Sequence, residues 1–370
     1  MELVKSSYNP EEVTILLKDI TGLVEPMGTE EREKLIQSGV HYSEMLPLEY
    51  KPTEKYMKIY EEELVRNGMK TAQAIADLGD KLFERKGTSL VLISLARAGT
   101  PIGILLRRYL DMRYEVKIPH YSISIIRGKG IDENALDYIF NKERTKISGF
   151  QFVDGWIGKG AIQRELISSL NSYLIGKRVE LREWFTIDYN LAAVSDPSMT
   201  IPDKYCGTRE DFIIPSSCLN ATVSGLFSRT FRRPDIIDES DFDGAIYYGN
   251  LKDEDKSNEF LDEITDCLKE IVSQKKNEIQ DKQFTGLNEV EQIAKDYEVT
   301  DINKVKPGIG ETTRVLLRRY PDRVLISMED AGSSDLEGIL QLCKEKNVPV
   351  EYYPLKRYKA VGIIKDVSDL

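Results

Sequence analysis

Phe152-Val153-Asp154-Gly155-Trp156-Ile157-Gly158-Lys159-Gly160, running on into Ala161-Ile162-Gln163, is the stretch that decides how this chain folds. An apolar run ends on a carboxylate. A loop punctuated by glycines and carrying one lysine follows, and residues 161–173 then take helical spacing. A strand–loop–helix of this kind suits an anion. Small residues let backbone N–H groups approach an oxyanion, and the helix N-terminus adds a favourable dipole. Asp154 suits Mg²⁺ or sugar hydroxyls, and Lys159 with Gly155, Gly158 and Gly160 suits a phosphate. The spacing matches neither the GxxxxGK[ST] phosphate loop nor the GxGxxG dinucleotide fingerprint.

The same unit recurs on both sides. Ser89–Ser94 reads as a strand buried on both faces, and Ala96–Pro101 as a turn. Ile102–Tyr109 then reads as helix. Within that turn Arg97, Ala98, Gly99 and Thr100 form a second candidate anion loop. Tyr121–Ile126 is an expected strand with a glycine-bearing loop at Arg127–Ile131, Ala135–Asn141 an expected helix, and Leu191–Ser195 a further strand. Strands alternating with helices predict an α/β fold with a parallel sheet flanked by helices. Residues 10–38 read as one helix, 53–86 as a long amphipathic stretch opened by Thr53, 196–218 as loop, and 251–281 as a connecting helix. A second, small α/β unit follows, with strands near Arg323–Ser327 and Val348–Tyr353 and a helix at Ser334–Lys346. The expected division is 1–250, a helical linker 251–290, and 291–370.

The chain has 370 residues, 41% hydrophobic and 31% charged, and no apolar run of membrane-spanning length, so a cytoplasmic protein is expected. Four cysteines without CxxC spacing and two histidines argue against a disulfide framework or a histidine-rich metal centre. The net charge of −11 argues against indiscriminate nucleic-acid binding. Yet residues 301–370 hold 12 Lys+Arg against 11 Asp+Glu, so a nucleic-acid surface is expected at that end.

The paired loops resemble the phosphoribosyltransferase fold. In that family one loop binds pyrophosphate and a later acidic, glycine-rich loop binds the ribose and 5′-phosphate of phosphoribosyl pyrophosphate (PRPP). Arg97-Ala98-Gly99 matches the first and Val153-Asp154 through Gly160 the second, while Arg127 and Lys129 match the place of a mobile basic hood loop. The resemblance implies PRPP or a nucleotide as substrate, Mg²⁺ at Asp154, and Arg97, Arg127 and Lys129 stabilising the departing charge. Gly155 replaces the family's usual second acid, Ala161 its final Thr or Ser, and Trp156 is unusual there. Residues 39–50, 120–132, 152–162 and 214–230 together resemble a bacterial family of phosphoribosyltransferase-like proteins encoded beside tellurite-resistance and stress genes. That family is also catalogued as the StiP cysteine proteases. In the hydroxyl-rich segment 214–230, Ser224 and Arg229 suit a phosphate or sugar pocket, though a capped turn would use the same residues.

Protease chemistry would need a thiolate beside a histidine base. Cys206 and Cys218 are the candidate nucleophiles, with His41 and His120 the available bases, and a packed cysteine is the plainer expectation. At the other end, Lys306-Pro307-Gly308-Ile309-Gly310-Glu311-Thr312-Thr313-Arg314 resembles the signature of the Pelota-type RNA-binding fold. That resemblance implies structured RNA as a partner, with the glycine turn of Gly308 and Gly310 at the RNA backbone, Glu311 at a base edge, and Lys306 and Arg314 among the residues that bind it. Arg318, Arg319 and Arg323 would add phosphate contacts, and Tyr352–Lys359 interleaves aromatics with cations as stacking requires. A non-catalytic protein that senses a phosphorylated metabolite or RNA is the alternative to an enzyme.

Overall fold

A computed structural model describes residues 1–176, 186–271 and 285–365. Its centre is a six-stranded, all-parallel sheet in the order Thr14–Ile15, His120–Ile123, Val91–Leu95, Phe150–Trp156, Ala192–Ser195, Cys206–Thr208. Val91–Leu95 is buried at every position, as its unbroken apolar run requires between two helical layers. The chain passes from Val91–Leu95 to its neighbour His120–Ile123 on one side, then crosses to Phe150–Trp156 on the other. Strand order therefore reverses between Val91–Leu95 and Phe150–Trp156. The carboxyl ends of strands at such a point are where α/β sheets bind ligands.

The flanking helices follow from local signals. Glu54–Lys86 is one continuous 33-residue helix, capped by the Thr53 side chain and buried along an alanine- and leucine-rich stripe. Gly99–Tyr114 and Ala161–Gly176 start directly off the two candidate loops. Ser257–Ile271 buries Phe260, Leu261, Ile264 and Leu268 in the main core. The rest of the connecting helix expected to residue 281 lies outside the described residues. Gly286–Asp296 is helical, and its Val290 and Ile293 pack with Val305, Leu325, Val361 and Ile363 in the small C-terminal core.

That C-terminal unit is a four-stranded mixed sheet in the order Val305–Pro307, Ala360–Ile364, Pro321–Ser327, Val350–Tyr353, with Ile309–Arg318 and Glu337–Lys346 packed on it. The expected strands and helix here are present. Val305–Pro307 and Ala360–Ile364 escape a sequence reading because they are short or sit beside charged turns.

Residues 10–38 do not form one helix. Thr14–Ile15 pairs in parallel with Tyr121–Ser122 at the sheet edge, Lys18–Asp19 pairs with Gly244–Ala245, and helix is confined to Thr29–Gln37. The Val13–Leu17 run is short and β-branched at its start, and an open sheet edge takes it in preference to a helix. Cys206–Thr208, inside the segment read as loop, closes the other edge. Gly207 runs so near its neighbours that an added Cβ would sit 2.3 Å from the Ala74 carbonyl oxygen.

Candidate functional site: a cleft shared by two domains

The two loops meet at the reversal point. A Cβ on Gly99 would lie 2.3 Å from the Val153 carbonyl oxygen, so only glycine lets the first loop lie against the second strand. The Ala96–Arg97 peptide is cis. Gly160 holds φ +72, and a Cβ there would press on Thr200 at 2.6 Å, which fixes glycine at the entry to the helix.

Above these loops sits a cleft of about 740 Å³. Asp154, Gly158, Lys159 and Gly160 line it from one side, and Lys306, Pro307, Glu311 and Arg314 from the other. The two sites expected separately from sequence, a phosphate loop and an RNA-binding turn, thus face each other. The docking is specific. The Trp156 indole N–H donates to Glu311 at 3.3 Å, and the Arg314 guanidinium lies 5.5 Å from the Trp156 ring centre. The Lys159 ammonium donates to the Ile302 and Val305 carbonyls at 2.5 and 3.0 Å, and the Tyr358 hydroxyl to the Gly158 carbonyl at 2.8 Å.

Charge in the cleft runs opposite to that of the whole chain. Arg32, Arg127, Lys159 and Arg229 line it from the first domain, and Lys304, Lys306, Arg314, Arg318, Arg319 and Lys365 from the second. Four carboxylates face them: Glu33, Asp154, Asp301 and Glu311. Among the described lining residues that is ten cations against four acids, in a protein of net charge −11. Low-dielectric walls of one sign focus field and raise local anion concentration.

The titratable groups register this crowding. Burial pushes the Asp154 carboxyl up to about 7, opposed by the Gly155 N–H that it accepts and by Arg314. Burial, with Lys306 and Arg127 nearby, brings the Lys159 ammonium down to about 7. Burial brings Arg229 down to about 9, helped by Arg32 and Arg97. Burial would raise Glu311, but Arg314 and Lys306 hold its carboxyl below the usual range.

The remaining expected residues divide between the cleft and its surroundings. Arg127 lines the cleft and donates to Asn303 at 3.0 Å, and its loop is pinned by the Tyr42 hydroxyl and by His41 Nε2. Lys129 does not line the cleft, because it is paired with Glu44 at 2.7 Å. Arg97 lies behind the loop, paired with Glu49 at 3.3 Å and donating to Asn220 at 2.8 Å. Ala98 lines the cleft, whereas the Thr100 hydroxyl is buried against Ser122. Ser224 is buried and its hydroxyl donates to the Asn220 carbonyl, within a segment that makes short turns at Pro215–Ser217 and Ala221–Val223. It nevertheless lines, with Arg97, Arg229 and Arg318, a pocket of about 290 Å³ that shares Asp154, Trp156 and Arg314 with the cleft.

The helix N-terminus at Gly308 is partly occupied within the chain. Asp211 accepts from the Ile309 N–H at 2.9 Å and the Lys359 N–H at 2.8 Å, so one of the first N–H groups of this helix is taken within the chain. Gly308, at φ +92, forms the turn, and Gly310 lies against Ser217. Tyr358 is likewise buried rather than a stacking platform, and Arg323 is paired with Asp322 and Glu351; Tyr352 is exposed. Sequence reading missed Arg32, Lys304 and Asp211. A lone arginine in a charged helix and an acid in a loop carry no periodic or motif signal.

The cysteines are packed. Cys206 is fully buried and donates to the Thr208 carbonyl, and burial pushes the Cys206 and Cys218 thiols up to about 12. His120 is buried between Ser94 and the Glu12 carbonyl and brought down to about 3, and His41 holds Ser43 and the Arg127 loop. Neither histidine hydrogen-bonds a cysteine among the described residues. Among the described residues no group of three or more His, Cys, Asp or Glu side chains gathers as a metal site, and no helix is long and apolar enough to cross a membrane.

No solved structure matches the chain. Residues 284–366 match the PELOTA RNA binding domain. The chain is 33% identical over 381 residues to "Cysteine protease StiP" of Acinetobacter baylyi, covering 98% of this chain and 94% of that protein. Residues 6–265 match the family described as the tellurite-like stress resistance cysteine protease StiP, and with that match and that relative the chain belongs to the StiP family.

Proposed function

We propose that this chain is a phosphoribosyltransferase-type protein that takes a phosphorylated ribose, as PRPP or a nucleotide, with Mg²⁺ into the interdomain cleft. Its C-terminal domain brings structured RNA to the same opening, within a stress-resistance pathway. The observation that carries this reading is the convergence of Asp154 and the Gly158–Gly160 loop with Lys306 and Arg314 on one cation-rich cleft at the strand-order reversal. The loop N–H groups and Arg127 would hold phosphate oxygens, and Asp154 the ribose hydroxyls or the metal. Mg²⁺ fits as an ion shared with the ligand. It commonly takes one or two carboxylates plus substrate phosphates and keeps its waters, and Asp154 offers one such carboxylate. Gly155 stands where the phosphoribosyltransferase pattern has its second acid, so Asp154 is the carboxylate this loop offers to a ribose or metal.

The protease reading that accompanies the family's description finds no thiol–imidazole pair among the described residues, with Cys206 and Cys218 both buried and their thiols raised. The test is a thermal-shift and calorimetric titration with PRPP, nucleotides and Mg²⁺, followed by an assay for pyrophosphate release with RNA present. Mg²⁺-dependent stabilisation that Asp154→Asn removes supports the reading. No stabilisation by any phosphorylated ribose at low salt overturns it.

A further inference from the structure

Five arginines crowd one end of this site: Arg32, Arg97, Arg229, Arg318 and Arg319. Three are partnered. Arg97 pairs with Glu49 at 3.3 Å, Arg319 pairs with Glu33, and Arg318 donates to the Leu219 carbonyl at 2.8 Å. Two are not. Arg32, on the helix Thr29–Gln37, is only 5% exposed, lines the cleft, and has its Nε and one Nη buried without a hydrogen-bond partner. Arg229 makes no side-chain hydrogen bond among the described residues and lines both the cleft and the adjoining pocket.

A buried guanidinium without partners is costly, and Arg32 is one; Arg229 is half-buried and adds a second positive charge facing the cleft. Arg32 and Arg319 lie near enough to Arg229 to weaken its hold on its proton, and Arg319 does the same to Arg32. Glu33 and Glu49 are the acids nearest Arg32, and each is already committed to another arginine. A carboxylate from the chain therefore does not neutralise the pair. A phosphate does so with the geometry that arginine favours, several oxygens received by planar forks.

We propose that Arg32 and Arg229, backed by Arg318 and Arg319, form a second phosphate subsite, which takes a second phosphate on the same ligand whose ribose phosphate sits at the Asp154–Gly160 loop. The subsite rests on the phosphorylated-ribose reading for the first phosphate but not for its own anion. Two sources share this chemistry: a small nucleoside bisphosphate, and the 5′-phosphorylated terminal nucleotide of an RNA strand.

The test titrates the full-length protein at low salt with adenosine 5′-monophosphate, adenosine 3′,5′-bisphosphate and inorganic pyrophosphate. It adds a short RNA carrying either a 5′-phosphate or a 5′-hydroxyl. Wild type should bind the bisphosphate about tenfold or more tightly than the monophosphate, the loss expected for one charge-assisted fork. Arg32→Gln should erase that difference, weakening the bisphosphate far more than the monophosphate. Without ligand, Arg32→Gln should melt at or above the wild-type temperature, because it removes an uncompensated buried charge; a merely structural arginine would lower it. A bisphosphate advantage that survives Arg32→Gln, or an equal loss for both nucleotides, overturns the subsite. If the monophosphate fails to bind but pyrophosphate binds in an Arg32-dependent way, the subsite stands and the ribose-phosphate reading falls. A 5′-phosphate that strengthens RNA binding in wild type but not in Arg32→Gln assigns the strand end. Equal binding of both RNAs, with the bisphosphate effect intact, assigns the small ligand.

Discussion

The Tyr358 hydroxyl donates to the Gly158 carbonyl at 2.8 Å, so a residue near the end of the chain holds the glycine loop of the first domain. Tyr358 is 2% exposed, and Gly158 carries this bond beside the Trp156–Glu311 and Lys159–Val305 contacts. The loop is thus shaped by the C-terminal domain as well as by its own strand and helix. Tyr358→Phe leaves the packing and removes the donor, and should cost on the order of 1 kcal/mol in stability while weakening nucleotide binding. Differential scanning calorimetry and titration check both; an unchanged affinity would show that the loop does not depend on its C-terminal partner.

Gly160→Ala should be more damaging than its size suggests. It places a Cβ against Thr200 and forces a side-chain residue to hold φ +72. A loss of about 1–3 kcal/mol is expected from strain at such a position. Chemical denaturation measures it, and a neutral substitution would show that the turn relaxes freely.

Asp154 and Lys159 set opposite pH dependences. Both sit at about 7, the carboxyl raised from its ordinary value and the ammonium lowered by burial. Below pH 7 Asp154 is neutral and Lys159 charged, so metal-free anion binding should strengthen as pH falls from 8 to 6. Above pH 7 Asp154 is ionised, so Mg²⁺-dependent binding should strengthen as pH rises. For the free protein, the raised Asp154 means that the native state binds more protons than the unfolded chain between its ordinary and its raised value, so stability is lost as pH rises through that window. Asp154→Asn should therefore raise the melting temperature at pH 8 more than at pH 5. Equal shifts at both would contradict the buried carboxyl.

Cys206 and Cys218 should resist a thiol-reactive probe at pH 7 in the native protein and label only on unfolding, because burial disfavours both thiolates. Cys267, half-buried, should label first. Mass spectrometry after a timed pulse reads the order, and rapid selective labelling of Cys206 or Cys218 would restore the protease chemistry.

Much of the fold was legible in the sequence because its signals are local. Val91–Leu95 announces itself as an apolar run, Glu54–Lys86 by its stripe and its threonine cap, and the helices after Thr100 and Gly160 by the period that follows each loop. The N-terminal strand Thr14–Ile15 was not legible, because two residues gain their partner only from the sheet edge at Tyr121. The site was legible in its pieces and not in its assembly. Asp154, Lys159, Lys306 and Arg314 each stood out, but nothing in their spacing says that Lys159 reaches the carbonyl of Val305 or that Asp211 accepts from the N–H of Ile309. Those are long-range contacts, and they turn two motifs into one cleft. Trp156, unusual for a phosphate loop, is explained by its place against Glu311 and Arg314.

The central claim is that one ligand site is built by both domains. Its most direct test is calorimetric titration of a nucleotide with Mg²⁺ into wild type, Asp154→Asn and Lys306→Gln, with the full chain at low salt. A shared cleft predicts that the variant in each domain loses about tenfold or more in affinity, as expected for removal of one charge-assisted contact. An affinity lost in Asp154→Asn but untouched in Lys306→Gln would contradict it and return the two motifs to separate sites.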